Sequence, residues 1–211
     1  MNLKMTELSR KNKREVVSLS SVTLLDSVGV KEDKSAKSVS FFCKSHPVKV
    51  DGKIISELKK ISVKSNKKNA RLCLHFGPDA LFHEMIILEH KGKYYRPHKH
   101  REKGESYHII EGKLAVFIFD PEGNIIDAAV LEKGHNFIYR VGINMYHAVM
   151  PLSKFVVYHE SKPGPFTGGG DSYFAPWAPD GSNLAEVRNY QGLLLRSLKN
   201  QMSGHSKRSN Q

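Results

Sequence analysis

The chain has 211 residues, of which 39% are apolar and 26% charged, and these values are typical of a globular protein with one well-cored domain. No apolar run approaches the roughly 20 residues that a helix needs to cross a bilayer, so the sequence predicts no membrane span. The net charge of +12 lies in the flanks, because residues 70–180 carry a net charge of −1. A nucleic-acid-binding face is therefore not expected on the central domain.

The first 40 residues are rich in lysine, serine and acidic residues without a sustained period, and we expect them to form a mobile extension. The basic residues 11–14 precede a partly apolar run at 16–25. Serines interrupt that run and no small-residue cleavage site closes it, so we do not interpret it as a secretory signal. Cys43 and Cys73 are too few for a disulfide framework, and the sequence therefore predicts a cytoplasmic protein.

Residues 53–63 place Ile54, Ile55, Leu58 and Ile61 at helical intervals, which predicts a short amphipathic helix. Nine short runs of β character follow, separated by turn signals such as Pro121 to Gly123. The runs span residues 71–76, 81–91, 93–100, 105–112, 113–120, 124–131, 135–141, 146–150 and 154–161. So many short strands without intervening helices predict an all-β antiparallel sandwich or barrel.

After the strands, residues 182–202 form an apolar stripe at helical spacing, and Asn183 with Glu186 forms a capping box. This pattern predicts a C-terminal helix that packs on the barrel or on a second subunit. The residues after it are predicted to be disordered. The domain prediction is therefore an N-terminal extension at 1–40, a barrel domain at 41–180, and a helix with a disordered tail at 181–211.

The chemistry-bearing residues lie between Gly92 and Gly112, in the pattern Gly, five residues, His98, one residue, His100, four residues, Glu105, six residues, Gly112. On a strand, side chains at i and i+2 share a face, so His98 and His100 project together. A short turn then brings Glu105 opposite them. Two imidazoles and one carboxylate on one wall suit a divalent metal with open coordination positions. A fourth ligand has to come from elsewhere, and His147 on a later strand is the best candidate.

This pattern resembles the first motif of the cupin superfamily, with no position missing. The second cupin motif is matched in part by Gly134, Gly142 and His147, with Arg140 where proline is expected and a longer loop before the histidine. From about residue 41 to residue 179 the chain is similar to WbuC-type cupin metalloproteins. The matching segments are 71–75 (RLCLH), 95–100 (YRPHKH), 105–112 (ESYHIIEG), 146–147 (YH), 159–160 (HE), 164–166 (GPF) and 174–179 (FAPWAP).

The resemblance implies a single cupin (jelly-roll) barrel that holds one divalent metal, with Fe, Mn, Ni, Co and Zn all compatible with this ligand set. Because genes of this type accompany surface-polysaccharide (O-antigen, lipopolysaccharide) synthesis, it favours a metal-dependent isomerase or epimerase acting on a sugar or nucleotide sugar. A non-haem iron oxygenase is an alternative, because histidines with a carboxylate leave room for substrate and oxygen. A non-catalytic module that binds a small ligand is a further alternative.

Strand parity adds three candidate residues around the metal. Arg96 shares the face of His98 and His100, and it binds either an anionic ligand or a carboxylate at the barrel mouth. Tyr107 shares the face of Glu105, and with His159 it is the predicted acid–base residue. We expect the substrate to be a small anionic or sugar-like molecule. Cupin barrels commonly pair through a sheet, so a homodimer is also expected.

Overall fold

The computed structural model of the chain describes residues 22–208. Residues 1–21 of the predicted extension and residues 209–211 of the predicted tail lie outside that range. The strands in it are β1 (Val30–Glu32), β2 (Val39–Cys43), β3 (Ala70–Cys73), β4 (Phe82–His90), β5 (His98–Lys99), β6 (Glu105–Glu111), β7 (Lys113–Phe119), β8 (Ile125–Glu132), β9 (Ile138–Val141), β10 (Tyr146–Pro151), β11 (Phe155–Pro163) and β12 (Tyr173–Phe174). The helices are α1 (Gly52–Lys64) and α2 (Leu184–Arg208), and a single 3-10 turn spans Gly168–Gly170.

Strands β4 to β11 form an eight-stranded jelly roll. One sheet contains them in the order β4-β11-β6-β9 and the other in the order β5-β10-β7-β8, with every neighbouring pair antiparallel. Successive strands from β4 to β7 thus alternate between the two sheets, as the chain of a double Greek key does. The first sheet is extended at the β4 edge by β3, β2 and β1, and the second at the β5 edge by β12. The predicted all-β barrel is confirmed.

The two faces of β7 show how the barrel is packed. Leu114, Val116 and Ile118 point inward and pack with residues of β6 and β11. The alternate residues Phe117 and Phe119 point outward and are also buried, because Leu194 and Leu198 of α2 pack on them. Strand β7 is therefore buried on both faces, and the apolar stripe predicted on the C-terminal helix packs on the barrel.

Helix α1 covers the outer face of the first sheet. Its predicted apolar residues are all buried, with Leu58 fully so, against Leu72 of β3 and Leu88 of β4. The helix begins where the Asp51 carboxylate accepts hydrogen bonds from the backbone N–H groups of Lys53 and Ile54. The predicted helix at 53–63 is confirmed, and each of its ends extends by one residue.

The segment between residues 22 and 43 differs from the expected mobile extension. Strand β1 pairs with β2, β2 pairs in parallel with β3, and Val22, Leu24 and Val30 are buried in the same apolar cluster as α1. Sequence period is weak here because these strands are short and their partners are distant in the chain. These apolar residues are buried against α1, so the sequence of the segment alone does not show that they belong to the core.

The C-terminal helix begins after Asn183, as predicted, with the side chain of Asn183 accepting hydrogen bonds from the N–H groups of Ala185 and Glu186. The helix continues to Arg208, so most of the tail predicted to be disordered is helical. Among the described residues, no helix has both the length and the apolar character needed to cross a membrane.

Gly112 joins β6 to β7 with a positive φ of 85°, and a Cβ there would lie 2.5 Å from Ser153 Oγ and 2.6 Å from the Phe155 carbonyl oxygen. We therefore expect Gly112→Ala to lower the free energy of unfolding by about 2 to 3 kcal/mol. Gly134 is the matched control, since its φ is 88° and a Cβ there would meet nothing within 4 Å. Gly134→Ala should cost only about 1 kcal/mol, for its left-handed backbone. Urea denaturation of both variants measures the difference, and equal losses would contradict the packing account.

Candidate metal centre

The structure brings the four predicted ligands together inside the barrel. His98 lies on β5 directly opposite His147 on β10, His100 follows β5, and Glu105 begins β6. Their ligand atoms all lie within 4.8 Å of one another, so this set of side chains can hold a metal ion. The local i, i+2 spacing and the return of the chain at β6 place the first three, as expected.

Each histidine is oriented through its Nδ1 atom. Nδ1–H donates to a backbone carbonyl in all three: to Arg96 from His98 (3.2 Å), to Met145 from His147 (2.9 Å) and to Asp171 from His100. A carbonyl oxygen can only accept, so the hydrogen of each neutral ring is on Nδ1. This leaves three Nε2 lone pairs for the cluster, which is the outer-shell arrangement of metal-binding histidines.

Two histidine nitrogen atoms of the cluster lie close to the Glu105 carboxylate without a hydrogen bond between them. His147 Nε2 lies 2.6 Å from Glu105 Oε1, and His100 Nε2 lies 3.3 Å from Glu105 Oε2. With their hydrogens on Nδ1, both neutral rings present an Nε2 lone pair to the carboxylate, and neither Nε2 atom has a hydrogen-bond partner. Either a proton on one of these Nε2 atoms or a metal cation between the groups satisfies such acceptors. Burial lowers the pKa of His100, but the contact with Glu105 raises it overall, so a positive charge is favoured here. The donor set of three imidazoles and a carboxylate therefore fits a divalent metal.

Burial and charge set the protonation of the same groups. Burial lowers the pKa of His98 to about 3, with the neighbouring His147 adding to the effect, so this ring is neutral at ordinary pH. Burial alone would raise the pKa of Glu105, but His100, His147 and Lys162 hold it well below its usual value. A neutral imidazole and an ionised carboxylate are the forms that bind metals.

Tyr107 lies where the sequence predicts, beside Glu105. Its hydroxyl donates to Glu105 Oε1, and burial together with the nearby carboxylates raises the pKa of the phenol well above its usual value. Tyr107 is thus protonated over the working range. Its contact orients the carboxylate of Glu105 and makes the phenol a proton donor rather than a base.

His159 is not beside the cluster. On β11 it pairs in register with His108 of β6, whereas the next residue, Glu160, pairs with Tyr107. Directly opposite residues share a face, so His159 lies on the outer face of the sheet and Glu160 on the inner one. The Nε2 atom of His159 lies 3.5 Å from the partly exposed carboxylate of Glu84. The register of β11 thus places His159 away from the cluster, which contradicts the acid–base role expected for it there.

Arg96 precedes strand β5, which begins at His98. The Nε and Nη2 atoms of Arg96 donate to the Ala175 carbonyl at 3.1 and 2.8 Å, and the guanidinium lies over the ring of Phe174. Phe174 is directly opposite His98, with the two ring centroids 6.0 Å apart, so Arg96 lies near the histidine cluster. These contacts fasten β12 to β5, and the anionic contact of Arg96 stays a prediction.

Sequence reasoning missed Lys162, which lies at the end of β11 on the inner face. Its Nζ is 3.5 Å from Glu105 Oε2 and 3.1 Å from Glu160 Oε1. Burial opposes the charge of this ammonium, but Glu160 and Glu105 raise its pKa overall. Asp171 was missed as well: its carbonyl holds His100, and its carboxylate is paired with Lys103. The contacts of Lys162 and Asp171 join residues that are distant in sequence, so no local sequence pattern predicts them.

Glu89 of β4 also faces inward and is buried, with 6% of its surface exposed. Burial raises its pKa to about 8, against the opposing effect of hydrogen bonding to Tyr95 and Tyr158. The folded state thus binds a proton that the unfolded chain releases near pH 4.5. Stability from this group is full below pH 4.5 and is lost as the pH rises towards 8. We therefore expect the melting temperature of the wild type to fall, relative to Glu89→Gln, between pH 5 and 8. Parallel pH profiles would contradict this.

The type of barrel follows from its strand order and from the position of the cluster within it. The barrel is of the cupin type. Its jelly roll holds the histidine and glutamate set on β5, β6 and β10, which are the strands that the sequence motifs assign to it. The predicted single cupin barrel is thus confirmed at the level of the fold.

Comparisons with known proteins find one family model and a set of distantly similar solved structures. The model of a family described as a domain of unknown function (DUF6016) matches residues 50–131, which include His98, His100 and Glu105. No curated protein matches the sequence.

Among solved structures, the capsular polysaccharide assembling protein CapF from Staphylococcus aureus is 16% identical, with a TM-score of 0.43 over 49% of this chain and 29% of CapF. Protein SO0799 from Shewanella oneidensis is 15% identical, with a TM-score of 0.38 over 46% of this chain and 63% of that protein. Oxalate decarboxylase from Lactobacillus farciminis is 16% identical, with a TM-score of 0.37 over 44% of this chain and 26% of the enzyme. This chain matches less than a third of CapF and of the decarboxylase. Likeness at this level carries no conclusion about substrate or reaction.

Proposed function

We propose that this chain is a WbuC-type cupin metalloprotein that holds one divalent ion through His98, His100, Glu105 and His147. The observation that supports it is the convergence of Nε2 lone pairs on the Glu105 carboxylate, with each Nδ1–H bound to a carbonyl. A divalent ion bound by the Nε2 atoms and the carboxylate would satisfy all of these acceptors at once.

We further propose that the protein is a metal-dependent isomerase or epimerase of a sugar or nucleotide sugar used in surface-polysaccharide synthesis. The sugar substrate and the reaction type both rest on the sequence resemblance, and the site contributes the groups that could hold the metal. A divalent metal in this cluster would polarise a substrate carbonyl or a pair of hydroxyls. The protein's own groups then have defined tasks: Lys162 and Tyr107 hold the carboxylate of Glu105, and Tyr107 Oη keeps a proton at the cluster.

The test is exchange of carbon-bound protons in heavy water, followed by NMR over a panel of sugar nucleotides and sugar phosphates. Exchange that needs the metal and is lost in Glu105→Gln supports the proposal. Oxygen uptake that needs iron and substrate would show the oxygenase instead. Saturable binding of a panel member without exchange or oxygen uptake would show a binding module. No exchange with any substrate in metal-loaded protein would overturn the isomerase proposal.

The apolar surface of the barrel also bears on assembly, and we propose a homodimer that pairs through a sheet. Exposed apolar side chains include Ile126 on β8 and Ile138 on β9. Light scattering of the full chain tests this, and a monomeric mass would remove the proposal.

A further inference from the structure

A cavity of about 830 Å³ lies on the inner face of the first sheet, beside the metal cluster. Ligand pockets typically have volumes of about 300 to 1,000 Å³, so this space is large enough for a small molecule. Its walls include Arg71 of β3, Glu89 of β4, and Tyr158, Glu160 and Lys162 of β11. The registers of β3, β4 and β11 put these side chains on the same face as Tyr107.

Glu89 is the residue of this wall that most clearly indicates a ligand-binding site. It is more than nine-tenths buried, and its Oε2 atom has no hydrogen-bond partner among the described residues. A buried acceptor without a donor costs about 1 to 3 kcal/mol, so such atoms persist where something else satisfies them. A hydroxyl group of a ligand in the cavity is a donor of the right kind.

The charges around the cavity favour an anion. Arg71 and Lys162 lie in its walls, and the remaining cations that line it are Lys37, Lys68 and Lys93. The acidic residues that line it are Asp33, Glu89 and Glu160. Glu160 is paired with Lys162, and Arg71 is fixed by donating from Nε to Ser40 Oγ at 2.8 Å. The cations outnumber the acids, so the field of the cavity attracts a negative group and opposes an amine.

The other walls are aromatic and suit a sugar ring. Tyr94, Tyr95 and Tyr158 line the cavity, together with Phe42 and Phe166. Tyrosine offers an apolar ring face and a hydroxyl that donates or accepts. Asn69, which also lines the cavity, donates to the hydroxyl of Tyr95. Aromatic faces, a carboxyl oxygen that accepts hydrogen bonds and a guanidinium together match the surface of a hydroxylated ring with an anionic substituent.

We propose that this cavity binds a pyranose that carries a phosphate or carboxylate group, with Glu89 accepting a ring hydroxyl and Arg71 facing the anion. The inference rests on the proposed function, since it names the substrate class of the metal site. The two are connected by Lys162, which lines the cavity and lies 3.5 Å from the metal-site carboxylate of Glu105.

Isothermal titration calorimetry of the full chain tests the proposal with glucose 1-phosphate and glucuronate as probes and glucose as the neutral reference. We expect saturable binding of at least one anionic probe, about tenfold or more tighter than that of glucose. Glu89→Leu, which removes the accepting oxygen, should weaken it at least about tenfold. Glu84→Leu is the matched control, because Glu84 lies on the same strand with its side chain on the outer face. The two anionic probes distinguish a phosphate from a carboxylate site.

Repeating the titration after chelator treatment separates this inference from the metal proposal. Binding that persists in metal-free protein supports the cavity even if no metal is ever found. If Glu89→Leu does not fold, hydrogen exchange on the wild type decides, with slowed exchange of the β3 and β4 amides expected on adding the probe. No binding of either anionic probe up to about 10 mM overturns the proposal, and so does binding that folded Glu89→Leu retains in full.

Discussion

Replacing Glu105 by glutamine is expected to abolish tight metal binding, with a loss larger than the ten- to hundredfold that follows removal of an outer-shell partner. Glu105 supplies the one carboxylate of the cluster and is almost fully buried. Glutamine keeps the size of the side chain but removes the negative charge that offsets a divalent cation among three neutral imidazoles. Competition with a chromophoric chelator measures the affinity.

Glu111→Gln is the control for this variant, because Glu111 ends the same strand with an exposed carboxylate paired to Lys59. Its metal affinity should equal that of the wild type. If Glu105→Gln binds metal as tightly as Glu111→Gln does, the carboxylate is not a ligand, and the centre would be a three-histidine site.

Replacing Lys162 by methionine is expected to lower the free energy of unfolding by about 3 to 5 kcal/mol. Its ammonium lies between Glu105 and Glu160, and its side chain is 16% exposed. Methionine fills a similar volume but leaves two buried carboxylates facing each other without a cation. Urea denaturation of chelator-treated protein measures the loss, because a bound metal would itself compensate part of it.

The exposed Lys154, which precedes β11, provides the matched control. Lys154→Met should change the free energy of unfolding by no more than about 0.5 kcal/mol. A loss of that small size in Lys162→Met would mean that Glu105 and Glu160 are neutral in the fold, and it would contradict the charge arrangement described for the inner face.

The metal centre was predictable because its information is local. His98 and His100 are two residues apart, Glu105 follows after one turn, and a strand has only two faces. His147 was harder to place, since the second motif departs from the usual pattern at Arg140. It joins the cluster because β10 pairs with β5, and that register puts it opposite His98.

One misplaced residue shows where the local argument fails. His159 was assigned without its register, and the pairing of β11 with β6 puts it on the outer face with His108. Parity is informative only within an established strand, and a slip of one residue exchanges the two faces.

The remainder of the site depends on tertiary contacts that no periodicity encodes. Lys162 and Asp171 come from distant segments, and Glu89 becomes exceptional only because the folded chain buries it. The same is true of residues 22–43, whose burial needs α1 and β3 in place. Sequence reasoning thus predicted the barrel and the residues of the histidine–glutamate cluster, while the cavity beside them required the structure.

The most direct test of the metal centre is elemental analysis of the full chain purified without an affinity tag. It is compared with a His98→Ala/His100→Ala variant and with His108→Ala, whose histidine lies on the outer face of β6. We predict about one divalent metal per chain in the wild type and in His108→Ala, and close to none in the double variant. No metal in the wild type after reconstitution, or equal metal in the double variant, would contradict the account.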